Sequence, residues 1–144
     1  MEAEPTRTVK LPAWEAKVER GEMMMREEQG ENGHRLLHIH APEAGVGSWR
    51  TRLSLEEGRY RFQGMAKAQG LKLTENDPKS GVGLRISRRK LGRKLPGDTD
   101  WAPLSFDFEV APENSGEVEL VCELRAERGD AWFDLATLQL IKRP

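Results

Sequence analysis

The sequence contains little that would cross-link the chain covalently and nothing that would place it in a membrane. Its 144 residues include one cysteine, Cys122, so an internal disulfide is excluded. No apolar run approaches the roughly 20 residues of a membrane-spanning helix, and the N-terminus has no signal-peptide core. We therefore expect a hydrophobic core and no membrane partner. The compartment stays open, although an extracellular or periplasmic location is favoured if the chain belongs to an exported multidomain protein.

The chain also lacks an excess of charge of either sign. Lys and Arg number 23 and Asp and Glu number 24, giving a formal net charge of -1. A protein that binds nucleic acid through its overall charge would be strongly basic, so nucleic acid is not an expected partner. The sequence has no nucleophile elbow and no phosphate-binding glycine loop, and Cys122 has no histidine in a supporting context. We therefore expect a protein that is not an enzyme.

The sequence does contain short segments in which apolar and polar residues alternate with a period of two residues. "GRYRFQGMAKAQG" places Tyr60, Phe62, Ala66 and Ala68 on one side, and "GVGLRIS", "PLSFDFEV" and "GEVELVCELRA" alternate in the same way. Weaker candidates cover 15–18, 22–27, 36–40 and 49–55. This pattern predicts an all-β, antiparallel, two-sheet β-sandwich of eight or nine strands, with Cys122 in the core.

The two ends of the sequence differ in character. Residues 1–12 are polar, carry two prolines and show no periodicity, so they are predicted to be a linker or terminal tail. Residues 13–144 are predicted to form one domain, a size that can bury a core without covalent cross-links.

The order of the segments resembles a known family. "SWRTRLSLEEGRYRFQGMAKA", "GVGLRIS", "GDTDWAPLSFDFEV" and "VELVCELRAERGDAWFDLATLQL" together resemble the galactose-binding-like jelly roll, a fold of many carbohydrate-binding modules in multidomain bacterial proteins. The resemblance implies a noncatalytic module that targets an attached domain to a polysaccharide or oligosaccharide. Its other expected partners are neighbouring domains of a larger protein.

The resemblance also implies a structural calcium ion. Asp134 in "AWFD" matches the family's acidic residue on the last strand, and Glu15 in "AWEAK" is the best match for the N-terminal ligand. Calcium prefers several oxygen ligands. The alternative is that Asp134 accepts hydrogen bonds from backbone amides at a bulge or pairs with an arginine.

Candidate ligand contacts follow from the outward positions of the predicted strands. If those strands share one sheet, their polar residues line its solvent face, and guanidinium, amide and carboxylate groups suit a hydroxyl-rich ligand. The predicted contacts are Arg61, Gln63, Arg85, Glu123 and Arg125. Trp132 and Trp49 are candidate aromatic platforms. The resemblance implies that the positions of Trp49 and Trp101 belong to the core or its edge.

Two other functions remain open. One is a structural or protein-interaction β-sandwich without a sugar site. The other is a small metal-dependent enzyme built on "HIH", in which His38 and His40 share a strand face near Glu43. A separate basic run, "LRISRRKLGRKLPG", is predicted to be a solvated loop, with an anionic polysaccharide or an acidic partner domain as its functional alternative.

Overall fold

The computed structural model of the chain describes residues 6–114 and 116–144, which form two antiparallel sheets. The strands are β1 (Arg7–Val9), β2 (Glu15–Arg20), β3 (Met24–Gln29), β4 (Arg35–Ala41), β5 (Gly45–Leu55), β6 (Gly58–Lys72), β7 (Gly81–Ile86), β8 (Thr99–Val110), β9 (Gly116–Ala126), β10 (Arg128–Asp134) and β11 (Gln139–Arg143). Short 3-10 helices cover Pro112–Asn114 and Leu135–Thr137. In these described ranges, no helix has the length and apolar character needed to cross a membrane.

Strand β6 organises the larger, seven-stranded sheet. One of its edges pairs with β8, and its other edge pairs first with β11 and then with β10. The sheet continues from β10 to β4 and β3, and β1 adds to β11. The smaller sheet has the order β2-β5-β9-β7. This arrangement confirms the predicted antiparallel two-sheet sandwich, with eleven strands rather than eight or nine.

Two differences account for the additional strands. Arg7–Val9, inside the predicted linker, pairs with β11, because a backbone segment there satisfies hydrogen-bonding groups that β11 would otherwise expose. Residues 1–5 of that predicted linker lie outside the described residues. The C-terminal run "ERGDAWFDLATLQLIKRP" is predicted from its apolar residues to be one last strand, but the 3-10 helix at Leu135–Thr137 divides it into β10 and β11.

The alternation predicted from the sequence is confirmed in the core. Tyr60, Phe62, Ala66 and Ala68 of β6 are all buried between the sheets. Cys122 is fully buried among them as a small apolar residue, and this burial raises the pKa of its thiol well above the ordinary value. Residues with the opposite parity on β6 face away from the core, so the strand has one dry and one wet face.

A charged network covers the outer face of the smaller sheet. Glu119 on β9 accepts hydrogen bonds from Ser87 and from Arg50 Nη1 and Arg52 Nε, the last two at 2.7 and 2.8 Å. Arg50 is buried and also binds Glu19 on β2. Burial raises the pKa of Glu119, but hydrogen bonds from Ser87, Arg52 and Arg50 outweigh it and lower that pKa from 4.5 to about 2. The network therefore joins β2 and β9 to β5, because Arg50 on β5 binds both Glu19 and Glu119.

We predict that Glu119→Gln destabilises the fold by about 2 kcal/mol at pH 7, because it removes the shared charge beside the buried Arg50. The folded-state pKa is below the unfolded value of 4.5. The stabilisation is therefore complete above pH 4.5 and disappears as the pH falls towards about 2. Urea unfolding of both proteins across this pH range measures the difference.

Glu117→Gln is the matched control, because Glu117 is 67% exposed and only approaches Arg52 at 3.7 Å. Its expected effect is below about 0.5 kcal/mol. Equal effects of the two substitutions, or a Glu119→Gln effect that is the same at pH 7 and pH 2, would show that the shared carboxylate does not stabilise the sheet.

Candidate functional site

Asp134, the carboxylate inside the apolar C-terminal run, ends β10 and caps the 3-10 helix that follows. Its Oδ1 accepts a hydrogen bond from the Ala136 amide at 3.1 Å, and its Oδ2 lies 2.8 Å from His34 Nδ1. Its carbonyl oxygen accepts from the Thr137 hydroxyl at 2.8 Å. The charge is thus satisfied at the sheet surface, which agrees with the backbone-amide alternative raised by the sequence.

Asp134 also lines a groove of about 550 Å³ on the outside of the larger sheet. Strands β3, β4, β6, β8 and β10 and the turn between β3 and β4 contribute to it. Its polar and aromatic lining consists of Gln29, Glu31, Asn32, His34, Lys67, Asp100, Trp101, Trp132 and Asp134. Two tryptophans therefore share one surface depression with amide, carboxylate and ammonium groups.

A β-bulge presents Trp101 to this groove. The register of β8 against β6 shifts between the pairs Ala66–Ala102 and Ala68–Thr99, so Asp100 and Trp101 together lie opposite Lys67. Bulges of this type redirect side chains and increase the local twist. The Asp100 carboxylate accepts a hydrogen bond from the Trp101 amide at 2.8 Å, which holds the bulge.

The Trp101 ring is available at the surface. The residue is 37% exposed, one of the largest apolar residues exposed on the protein. Among residues 6–114 and 116–144, no side chain forms a hydrogen bond, aromatic contact or cation–π contact with its indole. An uncommitted indole at the edge of a polar groove can stack on a ligand.

Trp132, in contrast, is fixed in place on β10. Its ring stacks on His38 with centroids 4.6 Å apart, and its indole Nε1 donates to Glu28 at 2.6 Å. The Lys67 ammonium lies 5.6 Å from the ring centroid, within cation–π range. Trp132 is therefore a rigid wall of the groove that also positions Lys67.

A histidine and carboxylate cluster supports this wall. His38 Nε2 and His40 Nδ1 lie 2.7 and 2.9 Å from the same oxygen of Asp130, and His38 Nδ1 is 3.3 Å from Glu28. Leu37 and Ile39 are buried, so the histidines face outward as the sequence predicts. Within the described part of the chain, no group of three or more His, Cys, Asp or Glu side chains is placed to hold a metal ion. The "HIH" enzyme alternative therefore has no supporting arrangement.

The structure divides the predicted contact set between two faces. Arg61 and Gln63 lie on β6 of the larger sheet, where Arg61 pairs with Asp107 at 2.8 Å and Gln63 contacts Gln139. Arg85, Glu123 and Arg125 lie on β7 and β9 of the smaller sheet. The five residues are predicted to form one surface if their strands share a sheet. Because the strands belong to two sheets, the residues do not form one surface.

The two tryptophans predicted as aromatic platforms lie in different places. Trp132 lines the groove, as described above. Trp49 is buried in the core with its indole N–H directed to the carbonyl oxygen of His38 at 3.3 Å, because alternation along β5 turns it away from the outer face that carries Arg50. Trp49 therefore cannot serve as a surface platform.

The predicted calcium ligands do not converge. Glu15 begins β2 in the smaller sheet and is exposed, whereas Asp134 ends β10 in the larger sheet with both oxygens hydrogen-bonded. A calcium site requires several oxygens directed at one point. These two residues do not form such a shell, and calcium binding stays a prediction.

Sequence reasoning missed Trp101, Lys67 and Asp100 as groove residues. A signal for Trp101 was present, because the alternation that buries Leu104 and Phe108 places position 101 outward when extended upstream. Lys67 likewise has outward parity on β6. The bulge that brings Asp100 beside them has no comparable sequence signal.

Comparisons with known proteins agree with this architecture. No protein-family model matches the chain, and no curated protein matches it. Among solved structures, TmCBM61, determined in complex with β-1,4-galactotriose, matches at 12% identity and a TM-score of 0.59, covering 94% of this chain and 91% of that one. A family 35 carbohydrate-binding module from Clostridium thermocellum matches at 8% identity and a TM-score of 0.51, covering 96% and 98%.

The chain has the jelly-roll fold of carbohydrate-binding modules. The same jelly roll also matches part of a larger protein, the enzymatically active domain of tailspike protein 4 from bacteriophage CBA120, at 7% identity and a TM-score of 0.61. This chain covers only 19% of that protein, and 90% of this chain is matched.

We predict that Asp134→Ala destabilises this jelly roll by about 1 kcal/mol, because the Leu135–Thr137 helix loses its cap. The loss should be the same with calcium and with a chelator, as measured by thermal unfolding. Asp134→Asn, which keeps an acceptor oxygen, is the matched control and should retain most of the stability. A rise in unfolding temperature with calcium that Asp134→Ala abolishes would instead establish Asp134 as a calcium ligand.

Proposed function

We propose that this protein is a noncatalytic carbohydrate-binding module whose ligand site is the groove lined by Trp101 and Trp132. The observation that carries the proposal is that the exposed Trp101 indole and the fixed Trp132 indole line the same groove. Lys67, Asp100 and Asp134 line it beside them. Sugar rings have apolar C–H faces and polar edges, so they are recognised by an aromatic ring with hydrogen-bonding groups around it.

Each groove residue has a distinct task in this proposal. The exposed Trp101 ring stacks on a pyranose face, and the fixed Trp132 limits the orientation of the sugar. The Lys67 ammonium donates to hydroxyl oxygens, and the Asp100 carboxylate accepts from hydroxyl protons. Because Trp132 is already held by His38 and Glu28, little side-chain entropy is lost there on binding.

The charge of the groove indicates the ligand class. Its lining includes Glu31, Asp100 and Asp134 against Lys67 and His34. Three carboxylates around one lysine disfavour a ligand that carries carboxylate or sulfate groups. The groove therefore suits a neutral oligosaccharide or a chain end or segment of a neutral polysaccharide, and β-1,4-galactan is a natural first candidate given the ligand bound to TmCBM61.

Binding of this kind would serve to target an attached domain. A module that holds a glycan weakly raises the local concentration of whatever is linked to it at the polysaccharide surface. This role requires no chemistry at the groove, which agrees with the expectation that the protein is not an enzyme.

We predict that Trp101→Ala weakens binding to the best neutral glycan by about tenfold or more, with little change in thermal stability. The loss follows from removal of the stacking surface, and the stability is kept because the indole has no polar or aromatic partner within the described ranges. Calorimetry against soluble β-galactan, β-glucan, xylan and mannan measures the affinity, and a melting curve measures the stability.

Leu73→Ala is the matched control, because Leu73 is another exposed apolar residue and does not line the groove. It should bind like the wild type. Binding that survives Trp101→Ala, or that is weakened equally by Leu73→Ala, would contradict the assignment of the groove. The absence of binding to every glycan would favour the structural or protein-interaction alternative.

A further inference from the structure

We infer that the protein carries a second ligand site, on the opposite face of the sandwich, that binds the anionic groups of an acidic polysaccharide. The site is a pocket of about 480 Å³ on the outside of the smaller sheet. Its cationic lining consists of Lys79, Arg85, Arg88, Arg89, Lys90 and Arg125. We call these six residues the basic pocket.

The first observation is the excess of positive charge. Among the residues that the structure describes, Glu123 is the only carboxylate that lines the basic pocket. Six cations against one carboxylate stand out on a chain whose formal net charge is -1. Such a concentration costs electrostatic repulsion, which a bound polyanion relieves.

The second observation is an unsatisfied arginine at the base of the basic pocket. Arg85 Nη2 donates to Glu123 Oε1 at 2.7 Å, whereas Arg125 Nε lies 3.8 Å from the other oxygen of Glu123. That Nε is buried and has no hydrogen-bond partner within the described ranges. One carboxylate thus lies beside two arginines and hydrogen-bonds only Arg85, so the positive charge of the pair is not fully neutralised at the base of the pocket.

The third observation is that four exposed cations of the basic pocket form no hydrogen bond or ion pair through their side chains within the described residues. They are Arg88, Arg89, Lys90 and Lys79. Guanidinium forks and ammonium groups of this kind match carboxylate and sulfate oxygens.

The loop that carries these cations is anchored at both ends. After the turn at Arg88, the Gly92 amide donates to the Leu84 carbonyl, and the Leu95 amide donates to the Val82 carbonyl at 3.1 Å. Leu95 is buried in the core, and Lys94 Nζ donates to two backbone carbonyls of the neighbouring loop, the nearer at 2.7 Å. The basic tip is therefore held over β7, which lowers the entropic cost of binding a ligand.

The composition of the basic pocket selects among polyanions. In the described part of the chain no aromatic residue lines it, so the bases of a single-stranded nucleic acid would have no ring to stack on. Leu91 is its one large apolar side chain and is half-buried, so the pocket presents little that could insert into a lipid surface. The remaining chemistry fits a hydrophilic chain with repeating carboxylate or sulfate groups.

The two sites separate the ligands by charge. The groove on the larger sheet has three carboxylates beside Lys67 and His34, whereas the basic pocket on the smaller sheet has six cations beside one carboxylate. One module could therefore hold a neutral and an acidic glycan at the same time, on opposite faces.

The test is binding to dextran sulfate and to polygalacturonate, with uncharged dextran as the backbone control. We expect the wild-type protein to bind at least one of the two polyanions and not dextran, with affinity that falls steeply as NaCl rises from about 50 to about 500 mM. The loop variant Arg88→Gln/Arg89→Gln/Lys90→Gln should lose about tenfold or more in affinity. All three substituted residues are exposed, so folding should be unaffected.

The matched control is Lys10→Gln/Lys17→Gln/Arg20→Gln, which removes the same charge from exposed positions outside the basic pocket. It should bind the polyanion like the wild type, and so should Trp101→Ala, which separates this site from the groove. Equal losses in the two triple variants, no binding to either polyanion, or tighter binding to oligo(dT) or to phosphatidylglycerol vesicles would overturn the inference.

Discussion

The strict alternation of side chains along β6 is the constraint on which the rest of the structure depends. This strand pairs with β8 on one edge and with β10 and β11 on the other, so its parity fixes which face of the larger sheet is dry. Tyr60 and Phe62 anchor the dry face, and a shift of one residue would bury Arg61 and expose both rings. The position of Lys67 on the wet face follows from the same register.

The groove arises where this regular pattern is interrupted. The bulge in β8 sets Asp100 and Trp101 against Lys67, and the end of β10 places Asp134 nearby as a helix cap. Both irregularities are local departures from a ladder that is otherwise continuous. The continuous strand ladder thus forms the base of the groove, and the bulge in β8 and the cap at the end of β10 provide the side chains that a ligand would contact.

The sequence predicted the sandwich, its inward residues and the burial of Cys122. It could do so because alternation of apolar and polar residues along a strand determines which side chains face the core. It also predicted that Trp132 faces outward. It did not predict which strands share a sheet, because pairing between distant segments has no local signal, and so Arg61 and Arg85 were placed on one face. Glu15 and Asp134 were joined through family resemblance, whereas the carboxylate of Asp134 has a local role in capping a helix.

The most direct test of the account follows the four tryptophan indole N–H signals in ¹H–¹⁵N spectra while the tightest-binding neutral oligosaccharide is added. If the groove binds sugar, the Trp101 and Trp132 signals shift together and saturate with the measured affinity, while those of the buried Trp49 and of Trp14, stacked on Phe62, stay unchanged. Saturation without any shift of Trp101, or shifts confined to residues of the smaller sheet, would contradict it.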